Sequence, residues 1–333
     1  MQNFNYTKIK NVDEAIGKFK TVSGEAAAQE IRFLAGGTTL LDLMKLEVQN
    51  PKVIVDINSL PLAEVEKTSD GGVRIGALVR NSDLAQNDLV KKNYPVLSEA
   101  LLSGASAQLR NKATTAGNLL QRTRCVYFRD PSKPCNKREP GSGCGAIDGF
   151  HRNLAIMGTS EHCIATNPSD MNVALMALEA KIQIQSSQGA REVDIAEFHL
   201  VPGKTPEKET VLQPGDLIVG VTLAPPAAGS KSLYLKLRDR ASYEFALSSA
   251  AVIVNIRSGK IEKIRMAMGG IGTKPWRSLE AEKLLEGQSP SEEKFKAAAE
   301  VFLKGARPHK QNAFKVELAK GCLVRALKDV MLA

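Results

Sequence analysis

No stretch of this chain is apolar for the length a bilayer crossing requires, which excludes a membrane-spanning helix. Aromatic residues make up only 5% of the sequence, with one tryptophan, and they are not interleaved with basic residues. The 45 Lys and Arg against 36 Asp and Glu leave a net charge of +9, yet they are scattered and form no basic block. With no recognition helix either, nucleic acid is a poor partner, and an anionic cofactor or an acidic partner surface fits the charge better. There is no Ser-His-Asp order, no His-x-x-x-His pair and no paired catalytic carboxylates, so a hydrolase would lack its machinery. Chemistry carried by bound cofactors suits such a chain better, and no residue of its own is assigned a catalytic role. Met1–Tyr6 shows neither the basic and apolar regions of a secretory signal nor a twin-arginine pair. The expected location is therefore cytoplasmic, or periplasmic if the chain is exported with a signal-bearing partner.

What is present is a chain of 333 residues and 43% hydrophobic content, enough for about two domains. Ile31 to Gly37 reads as a buried strand entering a glycine turn, after which Thr38-Thr39 opens a periodic Leu40, Leu41, Leu43, Met44 helix. Val53 to Ile57 and Val73 to Val79 are further strands, with Ser82 placed to cap the next helix. Met171 to Leu178 is helical in pattern, and Lys181 to Gln185 alternates like a half-buried strand. The proline-rich segment from Pro202 to Pro214 marks a boundary, giving domains 1–215 and 216–333, the first with parts at about 1–60 and 61–215. Ala251 to Ile256 and Ile261 to Met268 flank Ser258-Gly259 as an antiparallel hairpin.

Four segments carry candidate chemistry. In Ala35-Gly36-Gly37-Thr38-Thr39 paired glycines let the backbone approach a ligand, and the helix start offers free N–H groups to phosphate. It lacks the G-x-G-x-x-G spacing and the Gly-Lys-Ser/Thr ending of the familiar nucleotide motifs, and alone such a pair is more often only a turn. Ala113 to Leu120, with Thr114, Thr115, Gly117 and Asn118, is a second small-residue turn that also reads as a capped helix start. In Asn167-Pro168-Ser169-Asp170, the Asp170 carboxylate either accepts from sugar hydroxyls or caps the helix that follows. The fourth is a long irregular loop, 122–165, holding Cys125, Cys135, Cys144 and Cys163, with nine, eight and eighteen residues between them. Four thiolates suit an iron–sulfur cluster or a structural zinc, and the wide gaps lean toward the cluster. His151 and His162 are taken as polar loop residues, and Cys322, on an apolar helical pattern, as a core thiol. Lys236, ahead of a charged run, is either a solvated hairpin end or a lysine reaching a cofactor.

Leu34-Ala-Gly-Gly-Thr-Thr-Leu-Leu-Asp-Leu-Met-Lys45, Ala113-Thr-Thr-Ala-Gly-Asn-Leu119 and Pro168-Ser-Asp170, in that order, resemble the FAD-binding subunit of the xanthine dehydrogenase and aldehyde oxidoreductase family. Met268-Gly-Gly-Ile271 and Lys274-Pro-Trp-Arg277 extend the resemblance nearly end to end. It implies an α+β chain: an FAD-binding domain of the vanillyl-alcohol-oxidase (PCMH) type, then a smaller α+β C-terminal domain. It further implies that Leu34, Ala35, Gly36, Gly37, Thr38, Thr39, Leu40 and Leu41 wrap the FAD pyrophosphate. Thr114, Gly117 and Asn118 would contact the phosphate–ribityl region, Asp170 would hold a hydroxyl, and Lys236 would lie near the flavin. Threonine follows Gly36-Gly37 where many relatives have Asn or His, so backbone contacts should carry more of the binding. The cysteine loop is similar to that of periplasmic-type aldehyde oxidoreductases and implies a 4Fe-4S cluster on Cys125, Cys135, Cys144 and Cys163. The partners implied are a large molybdenum-cofactor subunit and a small 2Fe-2S subunit in a heterotrimer, with electrons leaving FAD for an acceptor such as dioxygen. Two alternatives stand beside this: a zinc-stabilised scaffold without catalysis, and a stand-alone flavin reductase of the same fold.

Overall fold

The computed structural model describes residues 1–20 and 30–332, and its strands form three sheets. The first is parallel, in the order β1 (Asn5–Lys8), β3 (Val53–Asp56), β2 (Ile31–Leu34). Ile54 and Val55 on its central strand are fully buried, as an apolar strand flanked on both edges must be. At the strand end Asn58 donates to the carbonyls of Leu34 and Ala35 at 3.2 and 2.9 Å, pinning the glycine turn from behind.

The second sheet is antiparallel, in the order β4 (Val65–Lys67), β5 (Val73–Gly76), β8 (Leu217–Leu223), β6 (Lys181–Ser186), β7 (Gly189–Asp194). Its middle strand lies beyond residue 215, where the proline-rich segment places the end of the first domain. Residues 217–223 pair with both β5 and β6, so that boundary falls too early and the first unit runs past Leu223. The helix expected behind a Ser82 cap instead spans Asn81–Gln86 from Arg80, with no side-chain cap, because the chain turns two residues sooner.

The third sheet runs β12 (Trp276–Arg277), β11 (Lys260–Gly269), β10 (Ser248–Arg257), β9 (Lys231–Leu237), all antiparallel. Ser258 and Gly259 have φ of 51° and 74°, the left-handed pair that a two-residue hairpin turn demands. Helices Leu279–Leu285, Glu292–Phe302 and Phe314–Met331 cover one face and complete a second core, in which Cys322 is fully buried as expected.

Helix Asp170–Ala177 joins the two units. All eight of its residues are buried, which the sequence explains by its apolar character all round. It packs on helix Pro95–Ser103 and on β10 and β11. A Cβ at Gly269 would stand 2.4 Å from Val173, so only glycine lets β11 lie this close to it.

Candidate functional site: a cleft between two units

The two small-residue turns meet. A Cβ on Gly36 would lie 1.9 Å from the Lys112 carbonyl oxygen, so Gly36 is the residue that lets the first turn abut the segment entering the second. Gly37 takes φ +76° and delivers Thr38 and Thr39 to the cleft wall. Arg80 bridges the pair, donating to the Lys112 carbonyl and to Asn58 Oδ1 at 3.1 Å. Thr39 stands at the start of helix Leu40–Lys45 without a side-chain cap, so that helix start keeps its N–H groups uncapped by a side chain.

In the second turn Thr114 accepts from the Gly117 N–H at 3.2 Å and Thr115 donates to the Val79 carbonyl at 3.1 Å. The capped helix start is therefore real, and it leaves Gly117 and Asn118 on the cleft. Asn118 Oδ1 accepts from Ser169 Oγ at 2.7 Å, which ties the second turn to the third. Ser169, and not Asp170, caps helix Asp170–Ala177, accepting from Asn172 N at 3.0 Å. Asp170 is thereby released from capping and turns into the cleft.

There it meets the C-terminal sheet. Lys236 Nζ lies 2.7 Å from Asp170 Oδ2, and Tyr234 donates to Oδ1 at 2.6 Å. The Lys236 and Asp170 side chains are only 4% and 9% exposed, so Lys236 is no solvated hairpin end. Tyr234 and Lys236 are two residues apart on β9 and share a face, the period-2 signal by which Tyr234 was findable in the sequence. Burial first, then the Asp170 charge, raises the Tyr234 phenol well above its ordinary range.

These groups line a cleft of about 600 Å³, within the range of small-molecule and cofactor sites. Five cationic side chains, Arg110, Arg124, Arg129, Lys236 and Arg240, face three acidic ones, Asp42, Asp170 and Glu244, so the wall favours an anion. Two wall residues, Ala105 and Tyr243, hold left-handed φ of 52° and 54°, the strained backbone that clusters at ligand sites. A second hollow of about 270 Å³ continues past the turns and is lined by Leu34, Ala35, Gly36, Gly37, Leu40 and Thr114, among others. Leu41 lies on neither wall and is 38% exposed. Sequence reasoning passed over Arg124 and Arg129 of this wall, which stand in the cysteine loop away from the three ligand turns.

The four loop cysteines converge on one small buried cavity, to which His162 also contributes. They share a core with Leu43, Phe128, Leu154 and Ile164. Burial pushes the Cys125 and Cys163 thiols up to about 11, with Lys137 opposing the rise at Cys163. Among the described residues no three His, Cys, Asp or Glu side chains form a group that could hold a metal ion as they stand. His151 lies elsewhere, its ring between the Ala146 carbonyl and the Gln311 N–H at 3.1 and 3.0 Å.

A cation-lined cleft of cofactor size, walled by two small-residue turns of one unit and closed by an ion pair between that unit's Asp170 and Lys236 of the other, is the arrangement of a two-domain cofactor-binding protein. Residues 2–226 match the family described as FAD binding domain in molybdopterin dehydrogenase, and 233–330 match the CO dehydrogenase flavoprotein C-terminal domain. The chain belongs to this family, the FAD-binding subunits of the molybdenum hydroxylases, and is an oxidoreductase subunit. It is 48% identical to the aldehyde oxidoreductase FAD-binding subunit PaoB of Escherichia coli, over 99% of this chain and 98% of that one. The glyceraldehyde dehydrogenase medium chain of Sulfolobus acidocaldarius is 29% identical over 98% of each. In fold the chain is similar to carbon monoxide dehydrogenase from Hydrogenophaga pseudoflava, with a TM-score of 0.77 at 24% identity, covering 99% of this chain and 98% of that one. No described helix is long and apolar enough to cross a membrane.

Proposed function

We propose that this chain is the electron-relaying subunit of a heterotrimeric molybdenum aldehyde oxidoreductase, holding FAD in the cleft and a 4Fe-4S cluster on its cysteine loop. The observation that carries the reading is the meeting of the Gly36–Thr39 turn, the Thr114–Asn118 turn and the Asp170–Lys236 pair around one cation-lined cleft. Leu34 to Leu40 and the start of their helix would hold the pyrophosphate through backbone N–H groups. Gly117 and Asn118 would border the ribityl chain, and Asp170 keeps lone pairs for a hydroxyl beyond the two donors it already has. FAD supplies the redox chemistry; the protein binds it, neutralises its charge and keeps water out.

The 48% identity to an aldehyde oxidoreductase subunit supports aldehydes as the substrate of a molybdenum-bearing partner, with 2Fe-2S centres in a small partner between the two. An external acceptor such as dioxygen, a quinone or a ferredoxin would then reoxidise this subunit. Cys125, Cys135, Cys144 and Cys163 supply the four-thiol set a cubane takes. A single zinc ion would draw its ligands to about 2.3 Å of one point, whereas a cube spreads its ligands over four corners. What supports the cube here is that all four thiols line one cavity and that their wide spacing along the chain lacks the close pairs usual at zinc.

The test is a count of acid-released flavin, iron and zinc per purified chain, beside an anaerobic absorption spectrum. One FAD with four iron is the expected result. Zinc without flavin would overturn the proposal in favour of a colourless scaffold, and flavin without iron would remove the cluster alone.

A further inference from the structure

The segment between Pro202 and Pro214 brings a carboxylate back to the cysteine loop. Glu209 is fixed there by backbone pairing, its carbonyl accepting from Leu200 N at 3.0 Å beside the paired His199 and Thr210. Its side chain meets two cations that flank cysteines of the loop. Arg122, just before Cys125, donates to Glu209 Oε2. Lys137, just after Cys135, has its Nζ 3.1 Å from Glu209 Oε1 and donates to the Pro206 carbonyl at 2.9 Å. Burial raises the Glu209 carboxyl, but the two cations outweigh it and hold the group below its ordinary range, so it is ionised at neutral pH.

As a clamp this triad would hold the loop, but its charges also stand against the thiols. Lys137 is the one Lys or Arg among the residues that line the cavity of the four cysteines, and its side chain is only 10% exposed. A hollow of about 40 Å³ backs onto that cavity, shares Lys137, Cys163 and Ala165 with it, and has Glu209 on its wall. The Arg122 guanidinium lies 4.5 Å from the centre of the fully buried Phe128 ring, which lines the cavity too. So little water around Lys137 leaves its charge weakly screened. A cluster held by four thiolates gains one negative charge with each electron, and a cation beside it favours that reduced state.

We propose that Lys137 and Glu209 set the reduction potential of the group held by Cys125, Cys135, Cys144 and Cys163, Lys137 raising it and Glu209 restraining that rise. This role rests on the iron–sulfur reading of the cysteine loop. Neither residue is a ligand; each acts through a charge that the Pro202–Pro214 segment holds in place.

An anaerobic redox titration followed by electron paramagnetic resonance tests it, on the full natural chain and on Lys137→Met, Glu209→Gln, Lys137→Arg and the Lys137→Met/Glu209→Gln double variant, with iron counted in each. In Lys137→Met the ratio of reduced to oxidised cluster at a fixed potential should fall about tenfold, a downward shift of about 59 mV for one electron. Glu209→Gln should shift it upward, Lys137→Arg should leave it in place, and the double variant should lie between the two single ones. Unchanged potentials, or shifts of the same sign in Lys137→Met and Glu209→Gln, at full iron content overturn the proposal, because a purely structural clamp responds alike to the loss of either partner. If Lys137→Met fails to hold iron, Glu209→Gln decides alone: an upward shift supports the proposal, and a downward shift or none overturns it. A natural chain without iron would overturn the cluster reading itself, and this role with it.

Discussion

Asp170 is the residue through which the two halves of the site communicate. Its carboxylate receives Tyr234 and Lys236 from β9, while its neighbour Ser169 holds Asn118 of the second turn. Removing one partner of a buried ion pair strands the other, at a cost of about 3–5 kcal/mol. Asp170→Asn is therefore expected to destabilise the chain by that order, because the 4% exposed Lys236 loses its counter-charge. Adding Lys236→Met to the same chain should recover part of the loss. Urea unfolding of both variants measures it, and a single variant within about 1 kcal/mol of the natural protein would show that the pair is not buried as described. The sequence pointed to Asp170 and Lys236 separately. That they pair across 66 residues was not legible, because separation along the chain says nothing about contact through space.

At the scale of elements, His199 is where a short helix, Ile195–Phe198, locks onto the second turn and the joining helix. Its Nε2 lies 3.0 Å from the Leu119 carbonyl and 3.2 Å from Asn172 Nδ2, and its ring meets Phe198 edge-on at 4.9 Å. Burial, the largest influence, lowers its pKa from 6.5 to about 4. The unfolded chain therefore binds a proton that the folded chain refuses throughout that window, and stability falls as pH drops from 6.5 toward 4. The loss attributable to His199 is at most on the order of 3 kcal/mol. His199→Gln should flatten the dependence of the urea midpoint on pH between those limits; an equally steep profile in the variant would assign it to other groups. Elements with apolar periodicity, such as β2, β3, β5 and the Ser258-Gly259 hairpin, were legible in the sequence. The edge strands β4 and β7 were not, since Val65–Lys67 and Gly189–Asp194 are largely exposed and carry little apolar alternation. The strand Leu217–Leu223 was misassigned because prolines at 202–214 punctuate a loop within the first unit and do not end it.

For the whole molecule, the question is whether the two matched segments are two folding units. The main core draws Tyr234, Ala251, Ile253 and Ala267 from the C-terminal sheet together with residues as early as Ile9. The cysteine loop's end is stitched to that sheet as well, Ile156 and Met157 both donating to the Ile271 carbonyl at 2.8 and 3.0 Å. An interface this apolar, crossed by a buried ion pair, is unlike the polar contact of domains that move or unfold independently. The intact chain is therefore expected to melt in one calorimetric transition, with its van't Hoff and calorimetric enthalpies in agreement. A fragment of residues 1–226 would keep both glycine turns yet lose Tyr234 and Lys236, leaving Asp170 without either donor and the apolar helix behind it uncovered. Such a fragment should unfold at a lower temperature and fail to retain flavin through gel filtration. If it instead held FAD as the full chain does, the cleft's anion affinity would reside in the turns alone, and the Asp170–Lys236 pair would be a joint between units and not part of the binding site.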